Sequence, residues 1–288
     1  MAKVRTYSDS LTTGTSCFSK QGQASSNMKL VMKCISIPAT IVWWLVLILD
    51  VLCLALLVSI LPDRLLRNGA VIRGASSILL KTAGVRLQVL GLQNIIRDKS
   101  QVIVANHESW FDSFILAAVL PIPVTFVSKK EMFHVPVFSY VMRCFRFLSV
   151  DRVNPHSDLK GIDTVVALLQ SHLSLVVFPE GTMTKTGKLG HFRRGAVYLA
   201  AKSNIPITPI ALIGTRKIKS RGSPWIHFGI QINVVISEPV EVGGLQREEQ
   251  QSAMENIKAI IEQHLTDTER SRGFSNEPLG EVEYDATC

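Results

Sequence analysis

The sequence predicts an α/β fold, a mixed and mostly buried β-sheet flanked by helices, preceded by an N-terminal membrane-associated helical segment. Three observations carry this expectation. Hydrophobic residues fill 47% of the 288 positions and charged residues 19%, which supplies a core and excludes a disordered or low-complexity chain. From Gly84 onward, short apolar runs rich in β-branched residues alternate with amphipathic stretches of helical period. Residues 34–61 form an apolar run broken by one charge, Asp50.

Residues 1–28, rich in Ser, Thr, Gly and Gln and lacking a hydrophobic period, read as a mobile tail. Residues 29–83 read as the membrane-associated segment. Its apolar run is too long for a buried core helix and starts too far from Met1 for an ordinary signal peptide. As one straight helix it would reach about 42 Å, against a hydrocarbon core of roughly 30 Å. Asp50 would then sit deep in lipid at about 2.5–3.5 kcal/mol. Two short helices broken near Asp50 and dipping into one leaflet avoid both problems. Basic residues flank the run on both sides (Lys20, Lys29 and Lys33; Arg64, Arg67 and Arg73), so they do not set its orientation.

Residues 84–265 read as the α/β domain, with strands at 85–90, 101–105, 124–127, 145–150, 173–178, 207–213 and 230–236. Helices are expected near 110–120, 136–144, 158–171, 194–203 and 247–265, an alternation that builds a buried sheet between helices. No repeat of 20–50 residues is present. Residues 266–288 are a polar, acidic tail.

Charge is distributed unevenly. Residues 128–221 hold 15 basic and 5 acidic side chains, whereas 222–288 hold 4 and 12. Between 181 and 221 there are nine Lys or Arg and no carboxylate, which points to an anionic partner. Nucleic acid is excluded as that partner, because no aromatic residues interleave with the charge and such a role leaves the apolar run unexplained. The five cysteines form no CxxC pair, and no two of the seven histidines have metal-ligand spacing, so neither disulfide framework nor metal is expected. Residues 181–188 fall short of a P-loop: five residues separate Gly181 from Gly187, and Leu189 stands where Ser or Thr is required.

The most informative stretch is Asn106-His107-Glu108-Ser109-Trp110-Phe111-Asp112, where a strand ends and an apolar helix begins. Five residues apart on one helix, two side chains diverge by about 140°. His107 and Asp112 therefore meet only if His107 stays in the loop and Asp112 lies in the first helical turn. Ser109 is a natural N-cap for that boundary, with Asp112 at N3. Asp112 then fixes one imidazole nitrogen and leaves the other free as a base. The same Ser-x-x-Asp spacing is close to a capping box, in which Asp112 only caps the helix.

A second cluster, Phe178-Pro179-Glu180-Gly181-Thr182, closes the apolar run 173–178 and opens the basic stretch holding Lys185, Lys188, Arg193 and Arg194. A carboxylate and a glycine at the end of a core strand stand where open α/β sheets bind ligands. A third, Ser128-Lys129-Lys130-Glu131, is followed by Pro136 and by Asp151-Arg152, an arginine suited to bidentate phosphate binding.

Together these blocks resemble the PlsC-like glycerolipid acyltransferases, over about residues 85–215. The likeness lies in four motifs in order: NHxSxxD at 106–112, KKExFxxPxF at 129–138 with Asp151-Arg152, FPEGT at 178–182, and Ile-Pro-Ile-Thr-Pro-Ile at 205–210. The resemblance implies a glycerol-3-phosphate acyltransferase-like fold and transfer of a fatty acyl group from acyl-CoA or acyl carrier protein to the sn-2 hydroxyl of 1-acyl-sn-glycerol-3-phosphate, with no cofactor. It implies His107 as general base and Asp112 as its orienting partner. Glu180, Gly181, Thr182 and Arg152 would hold the acceptor's glycerol phosphate, with charge from Lys129, Lys130 or Arg193. It also implies a membrane location with the site facing the cytoplasm. Two positions depart from the pattern: Met183 stands where Arg commonly follows FPEGT, and Arg146 where Gly is usual. Another lysolipid acceptor, such as a lyso-ornithine lipid or a lysophospholipid, and a non-catalytic lipid-binding role are the alternatives.

Overall fold

The computed structural model describes residues 15–62, 66, 69–150 and 159–274. In chain order the elements are α1 (Thr15–Ile60), α2 (Ala70–Thr82), β1 (Arg86–Leu90), β2 (Val102–Ala105), α3 (Phe111–Val119), β3 (Val124–Lys129), α4 (Phe138–Cys144), β4 (Leu148–Val150), α5 (Leu159–Gln170), β5 (Ser174–Val177), α6 (Gly195–Ser203), β6 (Ile207–Ile213), β7 (Gln231–Ile236) and α7 (Arg247–Phe274). All seven expected strands and five expected helices are present. The sheet order is β1-β7-β6-β2-β5-β3-β4. Neighbours run parallel except β6 and β7, so the sheet is mixed as expected.

Every residue of β2 and β6 is buried, as the apolar runs of a sheet covered on both faces require. One face packs α1, α2 and α3 through Trp43, Leu79, Phe111 and Ile115. The other packs α6 and α7 through Val197, Ala200, Met254, Ile257 and Ile261. Helix ends follow local chemistry. Leu120, the residue before Pro121, turns extended and stops α3, and Asn204 takes the left-handed conformation (φ 54°) that closes α6.

Three boundaries differ from expectation. The strand expected at 145–150 begins only at Leu148, because Arg146 adopts φ 57° and reverses the chain after α4. At the termini, helix α1 starts at Thr15, inside the stretch expected as tail, and α7 continues past 265 to Phe274. Residues 1–14 and 275–288 lie outside the described residues.

Helix α1 also runs unbroken through Asp50, where a two-helix hairpin was expected. The reason is its position against the domain. Thr40, Trp43 and Val58 are buried, with Trp44, Leu47, Asp50, Val51, Leu54 and Ala55 half-buried between them, a row at helical spacing. Asp50 thus lies on the side the domain partly covers, and the full lipid cost that argued for a break does not arise. The domain holds α1 near both ends of this row. Thr40 Oγ1 accepts from the Ile226 N–H at 3.3 Å, Trp44 Nε1 donates to the Pro224 carbonyl at 3.2 Å, and Ser59 Oγ shares a 3.1 Å hydrogen bond with Tyr140 Oη. From Thr40 to Ser59 is about 28 Å of helix. The opposite face exposes Ile41, Leu45, Ile48, Leu49, Leu52 and Leu56. Ile37–Ile60 is long and apolar enough to cross a membrane.

Arg146 pays the usual left-handed penalty of a side-chain-bearing residue, about 1 kcal/mol, which glycine avoids. Its structural partner is the backbone: Thr125 Oγ1 donates to the Arg146 carbonyl at 2.8 Å. Arg146→Gly should therefore raise the stability measured by denaturant unfolding by about 1 kcal/mol; a loss of stability would show that the arginine side chain holds the turn.

Candidate active site

The register of the sheet assembles the site. Val104 of β2 pairs with Val177 of β5, so the turns leaving these parallel neighbours emerge side by side. One carries His107 and the other Phe178-Pro179-Glu180-Gly181, over 70 residues later in sequence. Asn106 anchors the first turn. Its amide donates to the Leu212 carbonyl at 2.9 Å and accepts from the Leu212 N–H at 2.8 Å, clamping the end of β2 to β6.

His107 lies in the loop and Asp112 in the first turn of α3, and they meet. The Nδ1 to Asp112 Oδ2 distance is 2.8 Å. That oxygen also accepts the backbone N–H groups of Glu108 at 2.7 Å and Ser109 at 2.8 Å. An oxygen already receiving two N–H bonds is placed to accept, so Nδ1–H is the donor, and in the neutral imidazole the lone pair is then on Nε2. Asp112 is fully buried and the imidazole 15% exposed. The Phe178 ring stacks on the imidazole at 4.1 Å and 16°, fixing the ring plane.

Ser109 stands one residue before the N-cap, Trp110, rather than at it as expected, and its Oγ accepts the Phe111 N–H at 3.4 Å. Its hydroxyl donates to the Lys219 carbonyl at 2.8 Å, and the helix begins at Phe111 after Trp110, placing Asp112 one position earlier than N3. Asp112 instead reaches back to the loop, satisfying the turn's N–H groups and the imidazole with one atom. The capping and base-orienting readings of Asp112 thus describe a single carboxylate.

Glu180 holds the two turns together. Its Oε1 accepts the His107 N–H at 2.9 Å and its Oε2 the Gly190 N–H at 2.9 Å. The His107 carbonyl in turn accepts from the Thr184 N–H at 2.9 Å. Gly181 has φ 69°, and a Cβ there would stand 3.4 Å from the Arg193 guanidinium carbon, so glycine serves both conformation and close approach. Thr182 and Arg193 line an open groove of about 520 Å³ beside this turn, together with Lys185, Lys188 and Arg221.

Not every expected residue converges. Lys129 and Lys130 sit at the end of β3 and just beyond it, two strands from β2 in the sheet, and Lys129 pairs with Glu131 at 3.4 Å. Arg152 lies outside the described residues.

Other residues join the site without having been singled out. The Glu108 carboxyl, next to His107, has its pKa pushed up to about 7 by burial and by the Asp112 charge, against the opposing pull of the Arg216 N–H and guanidinium. Lys219 is buried with its ammonium 4.8 Å from the Trp110 ring centroid and 6.0 Å from that of Trp44, and burial lowers its pKa. Arg216 and Arg221 reach back to the loop after Gly181. The signal that could have found Lys219 and both arginines is the carboxylate-free basic stretch, which runs on to residue 221.

This geometry, a parallel-strand edge presenting a buried aspartate, an oriented imidazole and a basic groove, defines an α/β acyltransferase domain, and comparison with known proteins agrees. Residues 86–213 match the family model described as Acyltransferase. A chloroplastic 1-acyl-sn-glycerol-3-phosphate acyltransferase of Brassica napus is 34% identical over 156 residues, covering 54% of this chain and 45% of that protein. A 1-acyl-sn-glycerol-3-phosphate acyltransferase of Pseudomonas aeruginosa is 29% identical over 201 residues, 69% of this chain and 71% of that one. The crystal structure of the 1-acyl-sn-glycerophosphate (LPA) acyltransferase PlsC from Thermotoga maritima shares the fold with a TM-score of 0.71 at 19% identity, over 85% of this chain and 99% of that one. Residues 86–213 thus form an acyltransferase domain, similar in sequence to 1-acyl-sn-glycerol-3-phosphate acyltransferases and in fold to PlsC. The chain spans about half the length of the Brassica napus and Arabidopsis thaliana relatives.

The raised Glu108 makes a pH test. Its folded pKa of about 7 lies above its ordinary 4.5, so the native state holds a proton that the unfolded chain releases between these values. That contribution to stability is complete below pH 4.5 and is lost as pH rises through 7. Thermal unfolding of wild type and Glu108→Gln across pH 5–8 should show wild type losing Tm relative to the variant; parallel curves would refute the shift.

Proposed function

We propose that the protein transfers a fatty acyl group from acyl-CoA or acyl carrier protein to the sn-2 hydroxyl of 1-acyl-sn-glycerol-3-phosphate, giving phosphatidate. The observation that carries this reading is the Nδ1–Oδ2 contact of 2.8 Å, which supports His107 Nε2 as the atom that takes the proton. An alcohol is a weak nucleophile near neutrality, and a positioned base contributes typically about 10²–10⁴-fold. His107 Nε2 takes the acceptor's hydroxyl proton as its oxygen attacks the thioester carbonyl. The tetrahedral intermediate collapses with cleavage of the C–S bond, and the imidazolium returns the proton to the leaving thiolate. Products are the ester and the free thiol, so no further reactant is needed. The buried Asp112 stabilises the imidazolium, and Glu180 positions the His107 backbone. The names of the Brassica napus and Pseudomonas aeruginosa relatives support this acceptor. One observation favours a different lysolipid as second reading: neutral Met183 follows FPEGT.

In this reading the lipid substrate comes from the membrane and the thioester from the cytoplasmic side. Helix α1, fastened to the domain over about 28 Å, lies along the bilayer surface and turns its Ile41, Leu45, Ile48, Leu52 and Leu56 stripe into one leaflet.

His107→Ala should lower thiol release with acyl-CoA and lysophosphatidate by at least ~100-fold while membrane association persists; undiminished turnover would remove the base assignment. In wild type, a panel of lysolipids in the same assay separates the two acceptor readings, and release with another lysolipid but none with lysophosphatidate would overturn the first. Fluorophores placed singly at Ile41, Ile48 and Leu56 and quenched by bromolipids should report similar shallow depths. A maximum at Ile48, with both ends shallow, would instead mark a helix crossing the bilayer.

A further inference from the structure

We infer that the loop between β6 and β7 completes a binding site for a phosphomonoester, with Arg221 as a direct ligand and Arg216 as its brace. The inference rests on the acyl-transfer reading of the neighbouring histidine and adds residues to it. Both arginines lie beyond the segment 86–213 that the family model covers. Yet each folds back onto the loop that follows Gly181. Arg221 Nη1 donates to the Met183 carbonyl at 3.0 Å, and Arg216 Nη2 donates to the Lys185 carbonyl at 2.9 Å.

The groove they border is strongly cationic. Lys185, Lys188, Arg193 and Arg221 line it, and the carboxylate among the described lining residues is Glu180, whose two oxygens each hold a backbone N–H. A guanidinium carries five N–H donors, and one bond to a carbonyl leaves four that this bond does not use. Its planar fork matches a phosphate better than a lysine's point charge does. Arg221 brings this fork to the backbone of Met183, the position whose own side chain is neutral. Arg216 lies so close over Gly187 (φ 85°) that a Cβ there would stand 2.5 Å from Nη1, so the brace is built into the loop's packing. The Thr184 N–H on the His107 carbonyl sets this groove directly against the base.

Two substrates of the reaction carry a phosphomonoester: the lysophosphatidate acceptor and the ribose 3′-phosphate of coenzyme A. Binding by the full-length His107→Ala protein in detergent, measured by calorimetry, reads the site without turnover. Lysophosphatidate, coenzyme A and dephospho-coenzyme A are the probes. Arg221→Ala should weaken either lysophosphatidate at least tenfold or coenzyme A to the level of dephospho-coenzyme A, and the arm that moves names the source. Gly187→Ala, which displaces Arg216 without touching ligand, should weaken the same arm, and Arg221→Lys should recover part of the loss. Affinities within twofold of the parent for all probes in Arg221→Ala, with unchanged Tm, would overturn the inference. Intact phosphate binding in a wild-type protein that turns over no lysolipid would instead overturn the catalytic reading and leave this site standing.

Discussion

A single carboxylate oxygen sets the geometry on which the site depends. Asp112 Oδ2 receives the imidazole and two consecutive backbone N–H groups, and it does so out of reach of water. Each of these bonds involves an ionised acceptor, the stronger kind of hydrogen bond. Leaving any of the donors unmet in a buried turn would cost about 1–3 kcal/mol. The turn, the helix start and the orientation of the His107 ring are thereby one structural decision. The Asn106 clamp on β6 and the Glu180 clasp on β5 then fix that turn to the sheet from either side.

Much of this was legible in the sequence because the signals were local. Seven strands and five helices follow from apolar runs and their punctuation, and the requirement that His107 remain outside the helix follows from the angular step of an α-helix. Less local features were misread or unseen. The Ser109 hydroxyl, besides meeting the first N–H of α3, donates to Lys219, 110 residues on, a partner that no spacing rule supplies. The hairpin expected at Asp50 treats the apolar run as facing lipid all round, whereas one side of α1 is covered by Phe111, Tyr140 and the loop at Pro224. Arg146 reads as a strand residue, yet its left-handed φ ends α4 and shortens β4. The place of Lys129 and Lys130, two strands from β2, depends on the strand order, which no local signal gives.

The loop between β6 and β7 is the least sequence-evident part of the molecule and the most connected. Through Lys219 it touches Ser109, Trp110 and Trp44; through Pro224 and Ile226 it holds α1; through Arg216 and Arg221 it holds the basic loop. The apolar helix α1, the His107 turn and the groove are thus tied at one place, although they come from separate stretches of chain. Bonds to backbone carbonyls make up much of this tie, and these tolerate change in the residues they contact.

The His107 peptide unit is gripped on both sides by one segment, Glu180 at its N–H and Thr184 at its carbonyl. The ring of the same residue is held by a different element, through Asp112 in the first turn of α3. Backbone and side chain of His107 are therefore fixed independently, so a change in either element leaves the other constraint in place.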